Sequence, residues 1–227
     1  MNNNNNFKNL GIKHGTDKVD HHGYNFFYPK HLESLRGDEF NMLEIGYQGG
    51  HSCRMWQEYF PKANIFAMDI NIEGEDPTRM FARFENHIVF KGDQSNINDL
   101  NRVSSAIGSA KFIIDDGSHH PTHQIETFNF LFKNLLEPGG VYIIEDIECN
   151  YWDEESSIYG YRIGVFNAID YTKKLIDYVN SEFSRKENKL KISSITYAQN
   201  CIIITKQTEE EENYFNRNYR FSHELLK

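Results

Sequence analysis

Two apolar runs that each stop on a pair of acids constrain this chain more than any other feature. Phe112-Ile-Ile-Asp-Asp116 and Val141-Tyr-Ile-Ile-Glu-Asp146 are separated by an amphipathic segment that begins near Pro121. Such runs, split by a segment of helical periodicity, read as parallel strands joined by a right-handed crossover. Their carboxyl ends then lie side by side, and open α/β sheets bind ligands in the crevice outside those ends. Asp115, Asp116, Glu145 and Asp146 would all crowd that crevice. Like charges so close repel unless a proton or a cation joins them. A hard divalent ion such as Mg²⁺ favours oxygen ligands of this kind.

The rest of the chain supplies the opposite wall. Phe40-Asn-Met-Leu-Glu-Ile-Gly-Tyr-Gln-Gly-Gly-His-Ser52 reads as a strand carrying Glu44, then a turn through Gly46, Gly49 and Gly50, then a helix over 52–59. Glycines allow a tight turn and a close approach of ligand to main chain. Residues 65–70 form a second strand carrying Asp69, and an acid ~20 residues past a glycine loop commonly bonds a ribose hydroxyl. A third strand over 87–90 leads into Asp93 and Gln94, a helix over 98–107 follows, and 111–115 makes strand four. Ile125, Phe128, Leu131 and Leu135 recur at helical spacing after Pro121, a favourable first-turn residue. Pro138-Gly139-Gly140 is expected to end that helix, with strand five over 141–144. Apolar positions over 165–183 predict another helix. Residues 192–198 and 201–205, separated by Gln199-Asn200, predict a hairpin and so an antiparallel strand at the sheet edge.

With 227 residues, 39% hydrophobic and 14% aromatic, the chain can bury a full core as one domain. Residues 1–6 read as a disordered polar tail. Residues 7–207 read as the domain, in which 7–39 form an aromatic cap or lid offering Thr16, Asp17, Lys18 and Tyr24 to a ligand, and 208–227 as an acidic extension. A net charge of −9 argues against a nucleic-acid partner, whose affinity for proteins comes mainly from Lys and Arg. Cys53, Cys149 and Cys201 are too sparse for a disulfide framework and suggest free thiols in a reducing compartment. The amino end lacks a secretory apolar core, and no apolar run approaches the ~20 residues of a membrane span. A soluble cytoplasmic protein without a membrane partner is expected.

At this point the motifs resemble a known class. Leu43-Glu44-Ile45-Gly46-Tyr47-Gln48-Gly49-Gly50, Asp69, Asp93 and the strand-four acid look like the successive motifs of class I S-adenosylmethionine-dependent methyltransferases. That resemblance implies a doubly wound, mostly parallel, seven-stranded α/β sheet with an antiparallel last strand. Asp115-Asp116-Gly-Ser-His119-His120 with Glu145-Asp146 and Tyr151-Trp152 resembles the metal-dependent macrolide-sugar O-methyltransferases within the class. Gly15-Thr16-Asp17-Lys18 and Arg54-Met-Trp56 resemble the same group, and the cephalosporin hydroxylase-like proteins are its neighbours. The likeness spans roughly residues 10–207.

By position, the resemblance implies that Asp116, Glu145 and Asp146 ligate Mg²⁺ or another divalent cation and that His119 is the general base. Glu44, Gly46, Gly50, Ser52, Asp69, Asp93, Gln94 and Asp115 fall on the side of S-adenosylmethionine. Tyr24, Tyr151 and Trp152 fall on the side of the acceptor, a sugar or glycoside. A sugar hydroxyl is a weak acid; a metal lowers its pKa, and a His near neutrality can take the proton. Two other readings share parts of this pattern: methylation of a catechol-like diol, and a non-catalytic protein that keeps the cofactor fold. Dinucleotide redox chemistry is disfavoured because the loop is not Gly-x-Gly-x-x-Gly. The aromatic amino-terminal segment leaves a homo-oligomer open.

Overall fold

The structure, a computed structural model, describes residues 3–72, 80–152, 167–184 and 186–215. The chain opens with α1 (Asn3–His14), α2 (Asp17–Asp20) and α3 (Pro29–Leu32). Then come β1 (Asn41–Ile45), α4 (His51–Tyr59), β2 (Asn64–Asp69), β3 (Phe81–Arg83) and β4 (His87–Lys91). The middle is α5 (Ile97–Ile107), β5 (Ala110–Asp115), α6 (Pro121–Asn134) and β6 (Leu136–Glu145). It ends with α7 (Ala168–Lys174), α8 (Ile176–Val179), α9 (Ser181–Ser184), β7 (Ile192–Ala198) and β8 (Cys201–Lys206). No helix among the described residues is long and apolar enough to cross a membrane.

All eight strands form one sheet in the order β3-β4-β2-β1-β5-β6-β8-β7. The run from β4 to β6 is parallel, and β8 lies antiparallel on β6. The mostly parallel sheet with a reversed strand is therefore present. An eighth strand, β3, pairs antiparallel with β4 at the far edge. Three residues at an edge carry too little periodicity to be read from sequence.

Alternate residues of the central strands feed two cores. Met42, Phe112, Ile114, Val141 and Ile143 join one with Tyr28, Trp56 and Tyr59, while Leu43, Ile113, Tyr142 and Ile144 join the other with Leu100, Phe128 and Leu131. Layers on both faces explain why these strands read as continuous apolar runs. Strand order reverses at β1 and β5, so the carboxyl ends of these two strands open a switch-point crevice.

Three sequence expectations need correction. The asparagine run is not a loose tail from Asn3 onward but the first turn of α1, which is anchored where Phe7 meets Tyr28, Trp56 and Tyr59 at ring separations of 6.0, 5.6 and 5.1 Å. Pro138-Gly139-Gly140 does not end α6; the helix stops at Asn134, and these residues lie in the early part of β6, whose register with β5 shifts between Ala110 and Phe112. The helix expected over 165–183 is three short helices, α7 to α9, broken after Lys174 and at Asn180. Its first two positions lie outside the described residues. In the acidic extension, residues 209–215 are helical, started by a reciprocal capping box in which Thr208 N donates to Glu211 Oε2 at 2.8 Å and Glu211 N to Thr208 Oγ1 at 3.1 Å. Residues 216–227 lie outside the description.

Gly46 is where the sheet's two central turns touch. Its φ is +93°, and a Cβ there would sit 2.0 Å from the Asp116 carbonyl oxygen. Gly46→Ala is therefore expected to cost about 2–4 kcal/mol. Gly37→Ala, where a Cβ meets nothing within 4 Å, should be near neutral. Urea unfolding of the two variants checks the contrast.

Candidate active site

Three turns at the carboxyl ends of β1, β5 and β6 build the site. The turn after β1 is closed by Asp69 at the end of β2, whose Oδ2 accepts from Tyr47 N at 2.7 Å and Gln48 N at 3.1 Å. The turn after β5 is tied to β1 where Asp116 N donates to the Ile45 carbonyl at 2.9 Å. Gln94 bridges from the turn after β4: its Nε2 donates to Asp115 Oδ1 at 3.1 Å, and its Oε1 accepts from Ser118 N at 2.6 Å. Asp115 is buried at the end of β5, and that desolvation pushes its pKa up to about 7 despite the Gln94 bond.

Behind the turns lies a buried ion cage. The Lys18 ammonium, from α2, donates to Asp116 Oδ2 at 2.6 Å and Glu145 Oε2 at 2.7 Å, with Glu44 Oε1 at 3.3 Å. Lys18 and Glu44 are 0% exposed and Glu145 is 1% exposed. Burial works against the Lys18 charge, but Asp116, Glu145 and Glu44 outweigh it and hold the lysine pKa well above its usual value. The other Glu145 oxygen accepts from Tyr28 OH at 2.6 Å, and Glu44 Oε2 accepts from Ser52 Oγ at 2.8 Å. Desolvation pushes the pKa of both glutamates up.

In front of the cage, Asp116, His119 and Asp146 bring one ligand atom each within 4.8 Å of one another. His119 Nε2 lies 3.7 Å from Asp146 Oδ2. The other Asp146 oxygen accepts from Tyr24 OH at 2.8 Å and Asn200 Nδ2 at 3.1 Å, with His22 Nδ1 at 3.5 Å. Burial first, then the Asp116 charge, pushes the Asp146 pKa up. His119 and Asp146 both adopt left-handed backbone, at φ 55° and 51°, as does Gln48 in the glycine turn at φ 45°. Non-glycine residues in this region store roughly 1–3 kcal/mol each and cluster at functional sites.

These groups face a cavity of about 710 Å³. Gly46, Ser52, Asp69, Asp93 and Gln94 line it, as do Asp116, His119 and Asp146. Glu44, Gly50, Asp115 and Glu145 are not among its lining residues; three of these support it from behind through the bonds above. Tyr24 does not line it but touches two residues that do, bonding Asp146 and stacking on His22. Tyr151 is exposed and Trp152 half-buried, and neither lines the cavity. The expected metal set of Asp116, Glu145 and Asp146 thus meets a geometry in which His119 joins the two aspartates and Glu145 faces Lys18 and Tyr28. Sequence reasoning missed the Lys18 cage and the Tyr28, His22 and Asn200 contacts. The one signal available was that so many buried acids require a cation.

No family model matches the chain. The fold aligns with solved methyltransferases: the mycinamycin-pathway methyltransferase MycE, in complex with Mg, SAH and mycinamycin VI, superposes with a TM-score of 0.78 at 26% identity, covering 91% of this chain and 54% of that one. The chain has the fold of the S-adenosylmethionine-dependent methyltransferases. Its homologues are sugar O-methyltransferases of glycosylated natural products. Among them, the 8-demethyl-8-alpha-L-rhamnosyl tetracenomycin-C 2'-O-methyltransferase of Streptomyces olivaceus is 32% identical over 175 residues, 74% of this chain and 44% of the relative. The L-olivosyl-oleandolide 3-O-methyltransferase of Streptomyces antibioticus is 32% identical over 182 residues, 76% of this chain and 45% of the relative. The chain spans less than half the length of these curated relatives.

The raised Asp115 pKa has a definite sign. Between its ordinary 3.8 and about 7 the folded state holds a proton that the unfolded state releases. The stability it contributes is full below pH ~4 and lost as pH rises through about 7, with a slope approaching ~1.4 kcal/mol per pH unit. Asp115→Asn should flatten this part of the stability profile, as read by urea unfolding at several pH values.

Proposed function

We propose that the chain transfers the methyl group of S-adenosylmethionine to a hydroxyl of a sugar borne by a small molecule, assisted by a divalent cation such as Mg²⁺. The observation that carries this reading is one cavity lined by two unlike sets of residues. A glycine turn with Asp69, Asp93 and Gln94 suits an adenosyl cofactor, and the Asp116, His119 and Asp146 set suits the acceptor. The donor set fits a hard divalent ion, since two carboxylates converge within ligand reach and a third, Glu145, lies directly behind Asp116 on the same ammonium. Asp116 and Asp146 would hold the cation, with Glu145, engaged by Lys18 and Tyr28, held behind them. When bound, it lowers the pKa of a hydroxyl it touches.

The chain's own residues perform the rest. Asp69, closing the glycine turn, would serve the cofactor's ribose, and Asp93 its adenine. His119 accepts the hydroxyl proton at Nε2, and Asp146 Oδ2, 3.7 Å away, stabilises the resulting imidazolium. The methyl carbon–oxygen bond forms as the sulfur–methyl bond breaks in line, so orientation in the cavity carries much of the barrier. A sugar acceptor is favoured over a catechol by the relatives, whose names specify sugar hydroxyls. The −9 net charge supports a small-molecule acceptor over nucleic acid, and three free, buried cysteines support a reducing, cytoplasmic setting.

Turnover with labelled S-adenosylmethionine and rhamnosyl glycosides tests the reading. Excess chelator should abolish turnover, and His119→Ala should lower kcat by about 10²–10⁴-fold while S-adenosylhomocysteine still binds in calorimetry. Full activity in chelator would remove the metal, and binding of NAD without S-adenosylhomocysteine would remove the cofactor assignment.

A further inference from the structure

The ammonium of Lys18 is given no step in the proposed methyl transfer, yet it is a fully enclosed charge at the site. It reaches the acids from outside the sheet, on a short helix of the amino-terminal segment. Taking an ammonium out of water costs several kcal/mol, offset only when good partners surround it. Three partners do: Asp116 at 2.6 Å, Glu145 at 2.7 Å and Glu44 at 3.3 Å. They come from β1, the turn after β5 and the end of β6. The same segment supplies Tyr28 to Glu145 and Tyr24 to Asp146. Asp116 is the shared member, belonging both to the cage and to the cluster within metal-ligand reach.

We propose that Lys18 is a positioning residue: its ammonium is a resident counter-cation that holds Glu44, Asp116 and Glu145 in place without a metal and fastens the amino-terminal segment over the site. This rests on reading the site as a metal-assisted methyl-transfer centre. With Lys18 present the acids are ordered in advance, and a divalent ion adds to a site already folded. Without it, buried carboxylates confront one another, and the divalent ion becomes the cation that folding requires.

The test compares Lys18→Met, which keeps the stem length and removes the charge, with Lys18→Met/Glu145→Gln, which removes one acid as well. Thermal unfolding is followed with Mg²⁺ and with chelator, alongside Mg²⁺ titration by calorimetry, S-adenosylhomocysteine binding and turnover. Lys18→Met should show a Mg²⁺-induced rise in Tm several degrees larger than the unsubstituted chain, because a ligand that binds only the folded state stabilises it by mass action. Its Mg²⁺ Kd should tighten at least tenfold while kcat falls at least tenfold, and the double variant should return most of the way to the small Tm response. If Lys18→Met folds only with Mg²⁺, or fails to fold while the double variant folds, the proposal stands. An unchanged Tm response and Mg²⁺ Kd in Lys18→Met would overturn it, as would failure of both variants to fold under either condition, which would make the role packing and not charge. If the unsubstituted chain binds neither Mg²⁺ nor S-adenosylhomocysteine, the methyl-transfer reading falls instead, and the chelator-condition stabilities of the two variants still decide whether the charge matters.

Discussion

The ammonium of Lys18 among Glu44, Asp116 and Glu145 is the interaction on which the rest of the site depends. The sheet brings the ends of β1, β5 and β6 together because their apolar residues need both faces covered, and each of these strands ends on or near an acid. That packing is unfavourable for the acids themselves, since desolvation disfavours every charge it encloses. The resolution comes from a helix of four residues outside the sheet. One side chain offsets the repulsion, and in doing so it makes the amino-terminal segment part of the site and not merely a cover over the core. The aromatic column of that segment follows from the same requirement: His22, Tyr24 and Tyr28 stack at 5.1 and 4.9 Å, with both tyrosine hydroxyls aimed at the β6 acids.

The front of the site is governed by backbone as much as by charge. Gly46 lets the turns after β1 and β5 touch, and Gln94 and Asp69 then brace them with hydrogen bonds. Left-handed backbone at Gln48, His119 and Asp146 spends conformational energy at three residues that line the cavity. The proposed methyl transfer would gain from this stiffness, because the reacting oxygen and carbon must be held close and in line.

The sequence was most legible where a residue's neighbours along the chain decide its state. The parallel strands, the helix from Pro121 and the hairpin around Asn200 all carry their periodicity locally, and the acids end their strands where the apolar runs stop. The expected sugar O-methyltransferase likeness follows from those acids at their spacing, and the homologues agree with it. What was not legible depends on distant partners. Lys18 meets its acids 98 and 127 positions away, so its part in the cage leaves no local trace. The first turn of α1 reads as low complexity because Phe7, further along, supplies its anchor. Pro138 and the two glycines after it read as a stop, yet they lie in β6 because a register shift against β5 absorbs them. Whether Glu145 or His119 completes the metal set turns on side-chain direction, which spacing does not encode.

On the proposed reading, the adenosyl cofactor and a divalent cation share one cavity. Relaxation of S-adenosylmethionine carrying a ¹³C-labelled methyl group, measured in the bound state with Mn²⁺ against Mg²⁺, tests it most directly. Strong paramagnetic broadening of the methyl resonance by Mn²⁺, abolished by Asp146→Asn with the cofactor still bound, is the expected result. A methyl resonance unaffected by bound Mn²⁺ would contradict it.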